Sequence, residues 1–128
     1  MTYIDSVVTE LPKFRYSTDD IIGAASDWLK AAPAERSLFD RLSHSTQIEN
    51  RSFAIPVEQI LSLNGPGTRA KIFTDVGSQL LTDVIAKSFS ASGIAPSDVG
   101  ALLFTSCTVP AIPSIDVKAI DALKLSPD

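Results

Sequence analysis

A single thiol, Cys107, stands in the stretch Thr105–Asp116, TSCTVPAIPSID, directly after the apolar run ALLF. Nucleophilic catalysis by cysteine needs a thiolate, and a histidine, a cation or a helix N-terminus beside the sulfur supplies one. The expected strand, loop and helix order puts a helix start downstream, several residues beyond Cys107. The only histidine, His44, falls on a different expected helix, in RLSHST, and no spacing couples it to the cysteine. The bland alternative for Cys107 is a small buried thiol closing a strand, since free cysteine is among the most buried residue types. For His44 it is a surface or cap-type side chain among polar neighbours.

Other residues with chemical potential are more easily assigned. Arg36, Arg41, Arg51, Arg69 and Lys71 fall within one third of the chain and have the charge to meet phosphates at a pocket mouth. Glu35, Asp40, Glu49 and Asp75 interleave with them, which favours a solvated, ion-paired surface. Asn64–Gly67, NGPG, has glycines but neither a P-loop's following GK[ST] nor a dinucleotide fingerprint, so it reads as a turn. Asp98, Asp116 and Asp121 have no metal-ligand spacing.

Composition narrows the function classes. The 128 residues are 45% hydrophobic and 20% charged, which is ordinary globular composition with enough chain for a core. The net charge of −4 and the scattered cations give no nucleic-acid footprint. An anionic ligand has to be met by a few local cations against the overall field. One cysteine excludes an internal disulfide and a cysteine-based zinc site. The N-terminus has no basic start before a long apolar run, and no window has the roughly 18 apolar residues of a membrane span. A soluble, cytoplasmic protein is expected.

The residue pattern predicts the elements that would position these groups. Tyr3–Thr9, YIDSVVT, reads as a strand and LPKFRY as a loop. Ser17 and Asp20 make a capping box for a helix carrying Ile21, Ile22, Ala25, Trp28 and Leu29 inward and ending near Pro33. A second helix runs from Ala34 to about His44, with Leu38, Phe39 and Leu42 as its apolar stripe. Ile48–Ile55 alternates as a strand or extended arm, and Leu61–Thr68 is a turn-rich loop. A long helix over Ala70–Ser92 ends at Gly93, and Ile72, Phe73, Val76, Leu80, Val84 and Phe89 mark its face. Val99–Thr105 is apolar enough for a strand covered on both faces. A last helix opens at Pro113 or Ser114 and runs through Leu123. This order argues an α/β layered fold.

Three of these stretches, taken in order, resemble the N-terminal part of type III polyketide synthases, the chalcone synthase-like family. They are FDRLSHSTQIENRSF (Phe39–Phe53), the long helix running into SGIAPSDVGALLFTSCT, and IPSIDVKAIDALKLSPD. The last two are also features of the wider thiolase-like superfamily, so initiating ketoacyl-ACP synthases and hydroxymethylglutaryl-CoA synthases are the near alternatives. The Ile48–Phe53 region favours the polyketide synthases.

The resemblance implies a thiolase-like fold, of which residues 1–128 form the N-terminal half, with layered helices and a mixed sheet incomplete in this chain. It implies a homodimer, no cofactor, and iterative decarboxylative Claisen condensation of malonyl-CoA onto a starter acyl-CoA. The family's cysteine nucleophile, histidine and asparagine fall beyond Asp128 in this alignment, so the chain alone is expected to be inactive. The contrasting class is a non-catalytic half or dimerisation module. Arg41 matches a family arginine that contacts CoA phosphates, while Leu38 and Ser45 stand where its companion cations would be. Cys107, Thr108, Val109 and Pro110 match positions bordering the acyl cavity, and Ile112 matches a residue reaching into the partner's cavity. Val109 and Pro110 replace hydroxyl-bearing positions, which implies a more apolar pocket.

Overall fold

The computed structural model describes residues 3–30, 32–108 and 111–126. The chain divides into two compact units, Pro12–Leu63 and the combination of Met1–Leu11 with Asn64–Asp128. The fold is mixed α/β, with helices and one two-stranded sheet among the described residues.

In the unit Pro12–Leu63, strand β1 (Phe14–Ser17) pairs antiparallel with β2 (Asn50–Phe53), in the register Phe14↔Phe53 to Ser17↔Asn50. β1 corrects the loop expected over LPKFRY. Its strand character comes from a partner more than thirty residues away, and no local pattern announces that. Tyr16 and Phe53 meet edge to face at 6.0 Å between ring centroids, and the Tyr16 hydroxyl accepts from the Val57 N–H. Helix α1 (Thr18–Trp28) follows directly. Ser17 Oγ accepts from the Asp20 N–H, and the Asp20 carboxylate accepts from the Ser17 N–H at 3.0 Å, closing the expected capping box. Helix α2 (Pro33–Ser45) starts on its proline, where a missing N–H costs nothing. The short helix α3 (Val57–Ile60) fills the interval between the expected arm Ile48–Ile55 and the expected loop Leu61–Thr68.

Burial in this unit is lighter than the helical periodicity implies. Trp28, placed inward by its spacing, is 67% exposed, and Leu38 and Leu42 of α2 are exposed too. Periodicity identifies the apolar face of a helix, but a neighbouring element has to cover it.

In the other unit, helix α4 (Gly65–Ser92) is capped by Gly93 in the left-handed conformation at φ 74°. Pro66 in its first turn lets it begin inside the expected NGPG turn. Helix α5 (Ile115–Leu123) packs on α4 and ends at Lys124, also left-handed at φ 55°. The core lies at this junction, where Ile115, Ala119 and Leu125 are buried. Residues 3–11 run along α4 without a ladder, in place of the expected strand. Ser6 Oγ lies 3.2 Å from Ser88 Oγ, and Lys87 Nζ donates to the Thr9 carbonyl at 2.8 Å and pairs with Glu10 at 3.2 Å.

Val99–Thr105 corrects the sequence reading most. The segment follows a single 3-10 turn at Pro96–Asp98 and has no ladder partner among the described residues. Leu102 and Phe104 are half-buried, while Leu103 between them is 94% exposed. The composition is that of a strand covered on both faces, but a strand is completed by its neighbours.

Candidate functional site

The loop after Val99–Thr105 carries most of the residues singled out from sequence. Ser106 Oγ accepts from the Thr108 N–H at 3.1 Å, the local bond with which a serine tightens a turn. This turn presents Thr108 to a cavity of about 280 Å³ whose walls include Phe73 of α4, Phe104, Ser106, Ser114 and Ile115. An adjoining groove of about 250 Å³ is more apolar, with Leu80, Leu81 and Val84 of α4 opposite Phe104. The chemistry offered is a hydrocarbon wall with a few hydroxyls at one end and Glu10, paired with Lys87, on the groove's border. Such a surface binds and orients an apolar group.

Cys107 is exposed, which corrects the buried-thiol expectation. Cys107 and Thr108 lie in a bend, and the sulfur has no hydrogen-bond partner among the described residues. Ile112 is 99% exposed. Val109 and Pro110 lie outside the described residues. Sequence reasoning passed over Phe73, Phe104, Ser106 and Ser114. The hydroxyls flanking Cys107 and the apolar face of α4 were the available signals. It also missed Asp116, in the first turn of α5, whose Oδ1 is buried with no hydrogen-bond partner among the described residues.

Arg41 lies on α2, exposed and with no ion pair among the described residues, and Leu38 and Ser45 sit three residues before and four after it. These spacings put all three on one side of the helix. Ser45 Oγ bonds back to the Leu42 carbonyl at 2.8 Å. A free guanidinium beside an apolar side chain is a fair receptor for one phosphate, with none of the multiple clamping that a cation cluster gives.

The remaining charged residues are mostly engaged. Lys71 pairs with Asp75 one turn along α4 at 2.5 Å, and Arg51 donates to Thr18 Oγ1 at 3.1 Å and Thr46 Oγ1 at 3.0 Å. The Lys71 ammonium holds the Asp75 carboxyl below the usual carboxylate range, and Lys30 does the same for Asp27. His44 Nε2 stands 3.1 Å from Asp40 and 3.7 Å from Asp19. His44 and Asp19 border an open cavity of about 350 Å³ in the unit Pro12–Leu63. Its hydroxyls are engaged, Ser17 Oγ with Asp20 and Thr18 Oγ1 with the Ile48 carbonyl, and we read it as a solvated cleft. No group of three metal-ligating side chains occurs among the described residues. Among the described residues, no helix is long and apolar enough to cross a membrane.

No protein-family model matches the chain. Curated relatives do. Over 117 residues, 91% of this chain, it is 31% identical to the 1,3,6,8-tetrahydroxynaphthalene synthase of Streptomyces peucetius subsp. caesius. Over 98 residues, 77% of this chain, it is 22% identical to the enzyme of the same name from Streptomyces griseus. Both relatives are type III polyketide synthases.

The chain belongs to the type III polyketide synthases.

It spans 31% and 26% of the lengths of those two relatives. The first match takes in nearly all of the chain, so membership rests on much more than the three stretches that suggested it. Both named relatives fall in the polyketide synthase family, as the Ile48–Phe53 region had favoured over the other thiolase-like condensing enzymes.

Proposed function

We propose that these residues are the N-terminal portion of an enzyme that condenses malonyl-CoA onto a starter acyl-CoA by iterative decarboxylative Claisen chemistry. In each round malonyl-CoA loses CO2, the resulting enolate attacks the enzyme-held thioester carbonyl, and a carbon–carbon bond forms as the thiolate leaves. The single observation carrying this reading is the 31% identity over 117 residues to a synthase of that family. The relatives' shared name makes a polyhydroxylated naphthalene the first product to test for. In this reading the fold is thiolase-like, the enzyme is a cytoplasmic homodimer, and acyl-CoA and malonyl-CoA are substrates with no further cofactor.

Within it, the chain's own part is binding. Arg41 meets a CoA phosphate. Cys107, Thr108, Val109, Pro110 and Ile112 form one border of the acyl cavity, with the hydrocarbon of Phe73 and Phe104 behind Thr108. In this reading the nucleophile, histidine and asparagine come from the rest of the enzyme, and the chain by itself performs no condensation.

The test is a full-length enzyme carrying these residues, assayed for CoA release and product with malonyl-CoA. An Arg41→Ala variant should raise KM for the CoA substrate about tenfold, the loss of one charge-assisted contact, with kcat little changed. An unchanged KM would remove Arg41 from the CoA site. No product from the full-length enzyme would remove the function.

A further inference from the structure

Helix α2 carries Arg41, the proposed CoA contact, yet little apolar packing fixes the helix. None of its thirteen residues is buried, and Leu38 and Leu42 of its apolar stripe are exposed. A helix takes most of its stability from a packed face, so one held this lightly needs polar ties to keep a side chain aimed.

Arg51 on β2 supplies such a tie. Its Nη2 donates to Thr46 Oγ1, at the C-terminal cap of α2, at 3.0 Å. Its Nη1 donates to Thr18 Oγ1, at the first residue of α1, at 3.1 Å. Thr18 is itself anchored. It is buried, its N–H donates to the Glu49 carbonyl at 2.9 Å, and its hydroxyl donates to the Ile48 carbonyl. One planar guanidinium thus joins the end of α2, the start of α1 and β2, a two-armed grip that an ammonium does not reproduce. His44 also points from α2 towards Asp19 of α1, but at 3.7 Å and between exposed side chains.

The corner that this fork closes is an unfavourable one. Gln47 has φ 56°, in the left-handed region that residues other than glycine seldom occupy. Such a backbone persists where its surroundings over-determine it. Arg51 holds the residue before Gln47 directly and the residue after it through Thr18. Thr46 follows Ser45, so the grip acts at the end of the side formed by Leu38, Arg41 and Ser45.

We propose that Arg51 is a positioning residue for CoA binding: its fork fixes the last turn of α2 and so aims Arg41 at the phosphate. The inference rests on the CoA role proposed above for Arg41. With Leu38 and Ser45 uncharged, one cation does the work of a cluster, and holding its helix still lowers the ordering cost of binding.

The test uses the full-length enzyme with two substrates, malonyl-CoA and the malonyl thioester of N-acetylcysteamine, which lacks CoA's phosphates. Thr46→Val and Arg51→Lys should each raise KM for malonyl-CoA about three- to tenfold, with kcat little changed and KM for the short thioester unchanged. Thr46→Ser, which keeps the hydroxyl, should behave like the parent. Added to Arg41→Ala, Thr46→Val should raise KM no further, since both act through one contact. An equal rise for both thioesters would make the tie merely structural and overturn the proposal. So would an effect of Arg51→Lys without one of Thr46→Val, which would put the guanidinium itself on the phosphate, or an additive double variant. If Arg41→Ala raises KM and Thr46→Val does not, this inference falls and the CoA role of Arg41 stands. If Arg41→Ala leaves KM unchanged, that role falls and this inference with it.

Discussion

A Cβ built on Gly77 would stand 3.4 Å from Ile115 Cδ1, the near edge of ordinary van der Waals contact, so α4 and α5 meet at a point with room for a methyl and little more. Ile115 is 3% exposed and Ala119, one turn on, is 0% exposed. This junction is where the unit carrying the candidate site finds most of its buried surface.

Replacing Gly77 with leucine should therefore destabilise the unit by about 1–3 kcal/mol through overpacking. Ile115→Ala should cost about 2–4 kcal/mol through the opposite fault, a cavity. Urea unfolding followed by far-ultraviolet circular dichroism reads both. If Gly77→Leu melts like the parent, the close approach carries no packing energy.

Ser17→Ala removes one half of the α1 capping box and should cost about 1 kcal/mol. The same box makes a pH prediction. Hydrogen bonds from the Ser17 hydroxyl and N–H hold the Asp20 carboxyl below its ordinary range. A group with a depressed folded-state pKa stabilises the fold above its unfolded value, and that stabilisation is lost as pH falls through the folded one. Stability should thus fall on acidification below the usual carboxylate range, by less in Asp20→Asn than in the parent. Equal acid sensitivity in the two proteins would remove the effect.

The arm at residues 3–11 is tied to α4 chiefly by Lys87, which reaches the Thr9 carbonyl and Glu10. Lys87→Ala should release it. Limited proteolysis should then cut near Lys13 several-fold faster, with little change in global melting because the pair is exposed. Unchanged cleavage would mean that the ammonium does not hold the arm.

Features that depend on neighbours in sequence were legible. The Ser17–Asp20 box and the Gly93 cap follow from side chains within one turn of where they act, whereas α4 begins at Gly65, five residues before the expected start. Features that depend on a distant partner were not. Phe14–Ser17 is a strand because Asn50–Phe53 lies beside it, and Val99–Thr105 is not one because nothing among the described residues does. The same division runs through the site. Thr108 was singled out through its match to family positions bordering the acyl cavity, while Phe73 reaches the same cavity from more than thirty residues away. The thiol that drew attention faces solvent.

The central claim is that this chain is a binding portion of a condensing enzyme whose nucleophile lies elsewhere. The most direct measurement is the intact mass of the purified 128-residue chain after incubation with a long-chain acyl-CoA, before and after hydroxylamine. The account predicts no hydroxylamine-labile adduct on this chain and an acylated cysteine, other than Cys107, in a full-length enzyme containing it. A labile acyl adduct on Cys107 in the isolated chain would make the exposed thiol the nucleophile and contradict the account.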